Sequence, residues 1–400
     1  MIVFNDQQEY ALQEAVKHIH GETSEQVLQI SGGPGTGKTT IMHEMIKRIG
    51  IPVSRVAPMA FIGQAAINMR LKGLLNAKTI HSWLYDVIEV PVFDERGMVV
   101  MDPVYNKPLT RPEFIPRDLK DIDYFIIDEG STVPMNMKKD ILSRGKKVIV
   151  VGDLNQLPPV GDEPAFLREG RIIRLTEVLR QAKGSEIIKL ANFVLAGGIP
   201  SPGIYGNVLV IEPEDLTDEM IMASQIVLCG KNATRDTMNN HIRKDLLHRY
   251  TNLPGFGEKI ICRKNNWAIE RDGISLANGL AGSVVRPADV TTFDGKTFSI
   301  DFVPNFTNIL FNDIKCDYEY FTAPRAKKEM IKNSKFSVGD KFEYAYTITT
   351  HLAQGAQYSN GIYISEYLCK DIQKNLNFTG VTRFKNYMIY VLPPRKYKYF

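Results

Sequence analysis

The chain has 400 residues, of which 44% are hydrophobic, 24% charged and 10% aromatic, and it carries a formal net charge of +4. That length accommodates two to four domains, and the composition is that of an ordinary globular protein rather than a disordered or fibrous one. No apolar run approaches the ~20 residues that span a bilayer, and Met1-Ile2-Val3-Phe4-Asn5-Asp6 lacks the basic start and apolar core of a signal peptide, so a cytoplasmic protein without membrane contact is expected. Cys229, Cys262, Cys316 and Cys369 stand far apart with no C-x-x-C pair, which argues against zinc knuckles, iron–sulfur clusters and a secreted disulfide framework. Reduced, mostly buried thiols are expected instead. The net charge is too small to establish a nucleic-acid partner and is compatible with one if lysines and arginines gather in a groove. The basic, aromatic tail Arg395–Phe400 reads as a solvated end.

In chain order, the apolar run Val27-Leu28-Gln29-Ile30 predicts a strand and Ile41–Ile49 a helix. Between them Ser31-Gly32-Gly33-Pro34-Gly35-Thr36-Gly37-Lys38-Thr39-Thr40 fits the phosphate-binding pattern G-x-x-x-x-G-K-[ST] completely. Glycines let such a loop curl so that successive backbone N–H groups and the helix N-terminus face one anion. Residues Gly33, Pro34, Gly35, Thr36, Gly37, Lys38, Thr39 and Thr40 are thus expected around a nucleoside triphosphate, with Lys38 on the β- and γ-phosphates and the Thr39 hydroxyl on Mg2+.

Alternating β sequence from Val87 to Phe93 and from Met98 to Met101, around the turn Asp94-Glu95-Arg96-Gly97, predicts a hairpin inserted between Trp83 and Asp121. Asp123-Tyr124-Phe125-Ile126-Ile127-Asp128-Glu129 is then an apolar strand ending in two acids. A neighbouring parallel strand delivers a carboxylate to the Mg2+ shell in phosphate-loop enzymes; Asp128 is placed for that, and Glu129 to polarise attacking water as general base. Lys147–Val151 forms the next strand and runs into Gly152-Asp153-Leu154-Asn155-Gln156-Leu157-Pro158-Pro159-Val160. The Gln156 amide can donate to a γ-phosphate and accept from water. Parallel-type strands recur at Gln225–Cys229, Gly361–Ser365 and Tyr387–Leu392, in a second block with no phosphate loop. Short β runs such as Ser283-Val284-Val285 and Thr297–Phe302 mark a second insert.

The motifs G-G-P-G-T-G-K-T, I-I-D-E and G-D-x-x-Q-L-P-P-V resemble those of superfamily 1 helicases, in the RecD/Dda-like group that moves 5′→3′. Other segments resemble that family's motifs in its order, from about residue 4 to residue 391. Phe4–Ala11 is similar to the adenine-reading segment and implies that Gln8 contacts the base. Ala57-Pro58-Met59-Ala60 with Ala65-Ala66, and Thr79-Ile80-His81-Ser82, resemble first-domain motifs that touch the nucleic-acid strand. Leu175–Gln181 resembles the segment whose arginine, here Arg180, reaches the γ-phosphate. Cys229-Gly230-Lys231-Asn232 with Arg235 and Asn239 resembles the opening of the second motor domain. Thr349-Thr350-His351-Leu352-Ala353-Gln354-Gly355 resembles T-x-H-K-x-Q-G, and Thr379-Gly380-Val381-Thr382-Arg383 the final motif with its second arginine. Three positions depart from the pattern: Gly130 after the acids, Leu352 for a lysine, and Phe384 where alanine is usual.

The resemblance implies two tandem RecA-like α/β domains, 1–84 with 119–183 and 184–283 with 343–400, with ATP between them. It also implies a β-hairpin pin at 85–118, with Phe93 or Met98 as duplex wedge, and an SH3-like β-barrel insert at 284–342. Lys38, Glu129, Gln156, Arg180 and Arg383 are the implied catalytic set, Gln354 and Gly355 join the nucleotide site, and Thr39 with Asp128 hold the metal. Pro58, Thr79, His81, Pro158, Val160, Thr349 and His351 are the implied strand contacts. The expected activity is ATP-dependent 5′→3′ translocation on single-stranded DNA with duplex unwinding, by a monomer with ATP and Mg2+ as cofactors. Single-stranded DNA and single-strand/duplex junctions are the partners, with a single-strand-binding protein as a further one. An RNA helicase of the same superfamily, or the motor subunit of a larger nucleic-acid-processing complex, is the alternative.

Overall fold

In the computed structural model the described residues are 3–101, 108–159, 161–168, 170–179, 184–288, 293–334, 338–368 and 370–394. The chain divides into two compact units. The first comprises Met1–Ala77, Leu119–Arg249 and Tyr346–Phe400, and the second Lys78–Asp118 and Tyr250–Ala345.

The first unit contains two parallel sheets. One orders its strands Val56–Ala60, Tyr124–Asp128, Lys147–Gly152, Val27–Gly32 and Ile172–Leu175 as neighbours, all parallel. Parallel sheets are covered on both faces, so their strands read as continuous apolar runs rather than alternating ones. Phe125, Ile126, Ile127, Val148, Ile149 and Val150 are accordingly all fully buried. The other sheet orders Thr347–Thr349, Val227–Cys229, Tyr358–Ile364, Phe384–Val391, Val208–Ile211 and Gly203–Tyr205, parallel except for its last pair. The three strands expected in the second block all lie in this sheet. This mixed α/β architecture sends the C-terminal ends of the central strands towards one set of loops, which is where ligands bind in open α/β sheets.

Local rules explain the elements that carry the site. The helix Asp6–Ile19 opens with a capping box, in which the Asn5 side chain accepts from the Gln8 backbone and the Gln8 side chain accepts from the Asn5 backbone. The helix Lys38–Ile49 buries Ile41, Met42, Met45, Ile46 and Ile49 along one face and stops at Gly50 in the left-handed region.

Two of the three departures from the family pattern are steric. A Cβ at Gly130 would stand 2.3 Å from Val150 Cγ1, so the chain has no room for a side chain there. Phe384 is buried beside Tyr358 and fills the space over Gly361, where a Cβ would lie 2.5 Å from its ring. Nothing in the structure explains Leu352.

The second unit is mainly antiparallel. Its five-stranded sheet runs Phe311–Asp317, Thr297–Pro304, Ala281–Arg286, Lys259–Cys262, Phe342–Tyr344, around buried Phe298, Phe302, Phe311 and Phe342. This corrects the expected boundary. The insert does not begin at 284, because Lys259–Cys262 pairs with strands on both sides of it, and the unit resumes at Tyr250. The tight turn at Asp94–Gly97 forms where expected, with Asp94 accepting from the Arg96 and Met98 N–H groups. The long arm Tyr85–Pro91, however, pairs with Thr110–Pro116. Cys229, Cys262 and Cys316 are buried free thiols; Cys369, like the tail from 395, lies outside the described residues. No helix among the described residues is long and apolar enough to cross a membrane.

Candidate nucleotide site

The strand Val27–Gly32 and the helix Lys38–Ile49 bracket the glycine-rich loop as expected. Gly35 and Gly37 adopt φ of 76° and 81°, a region costly for any residue with a Cβ. At Gly37 a Cβ would also stand 2.8 Å from the Gln8 amide. The loop is held from inside. Thr36 Oγ1 donates to Gly33 O (2.9 Å), and Lys38 Nζ donates to Gly32 O (2.6 Å) and Gly33 O (3.0 Å). Gln8 Nε2 donates to Thr36 O (2.9 Å) from its buried position on the first helix. Gln8 therefore braces the loop while standing beside it.

This loop forms one wall of a cavity of about 970 Å3, and Asp128, Glu129, Asp153, Gln156 and Arg383 are among the residues that line the rest. Arg383 comes from the second parallel sheet's side. Its guanidinium is held by Thr379 O and Thr382 Oγ1, and Nη1 lies 3.9 Å from Glu129 Oε1. Glu129 has φ of 52°, a strained conformation for a residue with a side chain, fixed by Thr132 donating to its carbonyl. Three buried oxygens facing this region have no hydrogen-bond partner: Glu129 Oε2, Gln156 Oε1 and Asp153 Oδ2. Unsatisfied buried acceptors are expensive, and such a set suits a ligand that brings donors or a cation.

Thr39 and Asp128 fit a magnesium site of the kind that keeps its waters and takes one or two protein oxygens plus phosphate. Among the described residues no group of three or more His, Cys, Asp or Glu side chains is arranged to hold a metal unaided. The Asp128 carboxyl is pushed up to about 6, first by removal from water and then by the neighbouring Glu129 charge, with Lys72 opposing. Burial likewise raises Asp153, with Lys38 opposing.

The raised Asp128 pKa has a stability consequence. The unfolded chain ionises this group from about pH 4, before the folded protein does, so its contribution to stability falls as pH rises through the folded value. Above that the penalty is complete. Asp128→Asn should therefore stabilise the protein in EDTA by roughly 2–3 kcal/mol at pH 7.5. The gain should vanish below about pH 4, and chemical denaturation at the two pH values checks it.

Several expected site residues lie elsewhere. Gln354 does not line the cavity; it is buried and its Nε2 donates to Leu157 O (2.7 Å). Gly355 accepts from the Asn68 side chain. Leu157 N in turn donates to Thr379 Oγ1 (3.1 Å) on the helix Lys370–Val381, so the backbone beside Gln156 is tied at both of its polar groups, to that helix and to the turn that carries Gln354. Arg180 lies outside the described residues, although Leu179 before it donates from its N–H to Gly35 O. Asp153 and Lys72 line the cavity and were not singled out. Asp153 sits in a motif that was read for its glutamine, and Lys72 carries no sequence signal at all.

The expected strand contacts divide. Pro158 is exposed and shares a second cavity, of about 590 Å3, with His351. Burial lowers the His351 pKa, favouring the neutral ring. Thr349 is buried, and Pro58 is buried in the strand Val56–Ala60. Val160 lies outside the described residues. In the second unit Thr79 is fully buried, its hydroxyl capping the short helix Ile80–Leu84 by accepting from Ser82 N. A capping hydroxyl with no exposure is not available to a nucleic acid, which corrects that expectation. His81 stacks on Trp267 with ring centroids 4.2 Å apart, and Phe114 packs edge-on to the same indole. Phe93 and Met98 are 59% and 66% exposed near the hairpin turn.

Comparison with known proteins follows this geometry. A family model described as an AAA domain matches residues 13–162. The ATP-dependent RecD2 DNA helicase of Deinococcus radiodurans is 23% identical over 390 residues, covering 89% of this chain and 46% of its own length. Among solved structures, Pif1 helicase from Candida albicans superposes with a TM-score of 0.52 at 17% identity, covering 99% of this chain and 97% of its own. A Bacteroides Pif1 bound to ssDNA gives 0.54 at 16% identity, covering 98% and 92%. The fold is thus that of the two-domain Pif1 structures. The chain spans less than half the length of the curated relatives it matches first.

Proposed function

We propose that this chain belongs to the RecD/Pif1-like helicases of superfamily 1 and is an ATP-dependent DNA helicase that moves 5′→3′ along single-stranded DNA, a reading supported by the matching AAA domain and the RecD2 relative. One observation carries the reading. The phosphate loop, an acidic pair, Gln156 and an arginine from the second sheet's side converge on a single cavity. The catalytic roles follow from that convergence. Loop N–H groups and Lys38 receive the β- and γ-phosphates. Thr39 and Asp128 would hold Mg2+, which when bound would supply neutralisation of phosphate charge. Glu129 orients the attacking water and accepts its proton through Oε2, the oxygen that lacks a partner. Arg383 stabilises charge on the transferring phosphoryl group.

Coupling to movement runs through Leu157. Gln156 faces the cavity while the next residue is bonded to Gln354 and Thr379, so a change in what Gln156 touches would pull on the Gln354 turn and on the helix Lys370–Val381. The cavity shared by Pro158 and His351 begins directly beyond Leu157 and is the first place to look for the strand. Contacts there would be to sugar, phosphate and stacked bases, hence tolerant of sequence. The antiparallel unit is consistent with an SH3-like insert, and its exposed hairpin tip with a duplex wedge.

Two statements in relatives' names support DNA as the track: DNA helicase for the RecD2 protein, and bound ssDNA for the Bacteroides Pif1. Matched DNA and RNA oligonucleotides test it. ATP hydrolysis should rise at least about tenfold with single-stranded DNA, a gain typical of completing a charge-stabilised site. Stronger stimulation by RNA would replace the DNA reading with the RNA one.

A further inference from the structure

Lys72 has no part in the catalytic scheme above, yet its ammonium donates to the Thr39 hydroxyl at 2.9 Å. That oxygen is the one a magnesium ion would take. We propose that Lys72 is a built-in competitor for the divalent cation, occupying the metal's corner when no Mg2+ is bound and being displaced by it. The inference rests on reading the cavity as a Mg-nucleotide site.

The placement of Lys72 is fixed by its backbone. It caps the helix Gly63–Leu71, which closes through Leu74 N to Met69 O (3.0 Å) and Gly73 N to Arg70 O (2.8 Å), the paired bonds of a Schellman ending. Gly73 supplies the left-handed residue at φ 100°, and a Cβ there would stand 3.2 Å from the His43 ring. The lysine therefore leaves a capped helix end and reaches Thr39, lining the cavity with Lys38, Asp128 and Glu129. Asp128 and Glu129 attract the ammonium, as they would a metal ion, and Lys38 repels it. A cation and an ammonium cannot share a single hydroxyl oxygen at contact distance. The residue as a whole is exposed while burial in the cavity lowers the pKa of its ammonium, so swinging the side chain out to water unpacks no core. Its consequence is a lowered affinity for Mg2+ in the resting site, and with it a faster release of Mg-bound product.

Equilibrium binding of a fluorescent ADP analogue, titrated with Mg2+ from an EDTA baseline, reads this without any turnover. Lys72→Gln and Lys72→Met should lower the Mg2+ concentration that gives half-maximal enhancement by about fivefold, the scale of one solvent-exposed hydrogen bond. Nucleotide affinity in EDTA should not fall. Lys139→Gln, which removes the same charge from an exposed helix position, should leave the midpoint where it is. An unchanged midpoint in both Lys72 variants would overturn the proposal. So would weaker nucleotide binding in EDTA, which would make Lys72 a phosphate ligand. If the unaltered protein binds no ADP analogue at all, the nucleotide reading falls, and the Lys72 inference with it.

Discussion

Glu129→Gln is expected to reduce ATP turnover by about 10^3-fold while leaving nucleotide binding intact, the range assigned to a positioned general base. Glu129 Oε1 faces the Arg383 guanidinium at 3.9 Å, and Oε2 is buried without a partner. The orphan oxygen is the proton acceptor in the proposed scheme. An amide placed there is nearly the same shape but cannot take a proton from water, so binding survives and chemistry does not. Removing the negative charge beside Asp128 also relieves one of the causes that raise the Asp128 pKa. Mg2+-dependent nucleotide affinity should therefore hold steady or improve. Single-turnover hydrolysis alongside nucleotide titration separates the two effects. Retention of more than about a tenth of the activity would move the base to Asp153, whose Oδ2 is also a buried carboxylate oxygen without a partner.

Arg383→Ala should lower turnover by about 10^3-fold or more, the scale of arginines that stabilise phosphoryl transfer. The guanidinium is buried and fixed through Nε to Thr379 O and through Nη2 to Thr382 Oγ1. Thr379 is also the residue whose hydroxyl accepts from Leu157 N, so the arginine and the Gln156 loop share one anchor. Arg383→Lys should rescue little, because an ammonium cannot keep the fork that holds the side chain in place. The split between kcat and KM is informative here. A loss confined to kcat places the arginine on the transition state. An equal loss in nucleotide affinity would make it a ground-state contact.

How much was legible beforehand depended on whether neighbours in space were neighbours in sequence. The phosphate loop, Asp128-Glu129 and Gln156 each sit at the end of an apolar strand, and such strands were readable because burial on both faces leaves a continuous hydrophobic run. The same property hid a boundary. Lys259-Ile260-Ile261-Cys262 has the apolar run of a parallel strand, yet it lies in an antiparallel sheet with strands paired on both sides. The hairpin's second arm, Thr110–Pro116, carries two prolines, which argue against a strand unless it lies at an edge. Thr79 and Gln354 carry motif chemistry, but one caps a helix and the other clamps Leu157; polarity alone does not say which way a side chain turns. Lys72 meets Thr39 from 33 positions away, and only the fold brings that contact about.

The central claim is directional, ATP-driven unwinding, and a pair of partial duplexes tests it most directly. One carries a 5′ single-stranded tail and the other a 3′ tail, with strand separation followed in the presence of ATP and Mg2+. Separation of the 5′-tailed duplex is expected, with none of the 3′-tailed one and loss of activity in Lys38→Ala. Separation of the 3′-tailed duplex in preference, or unwinding that survives Lys38→Ala, would contradict that claim.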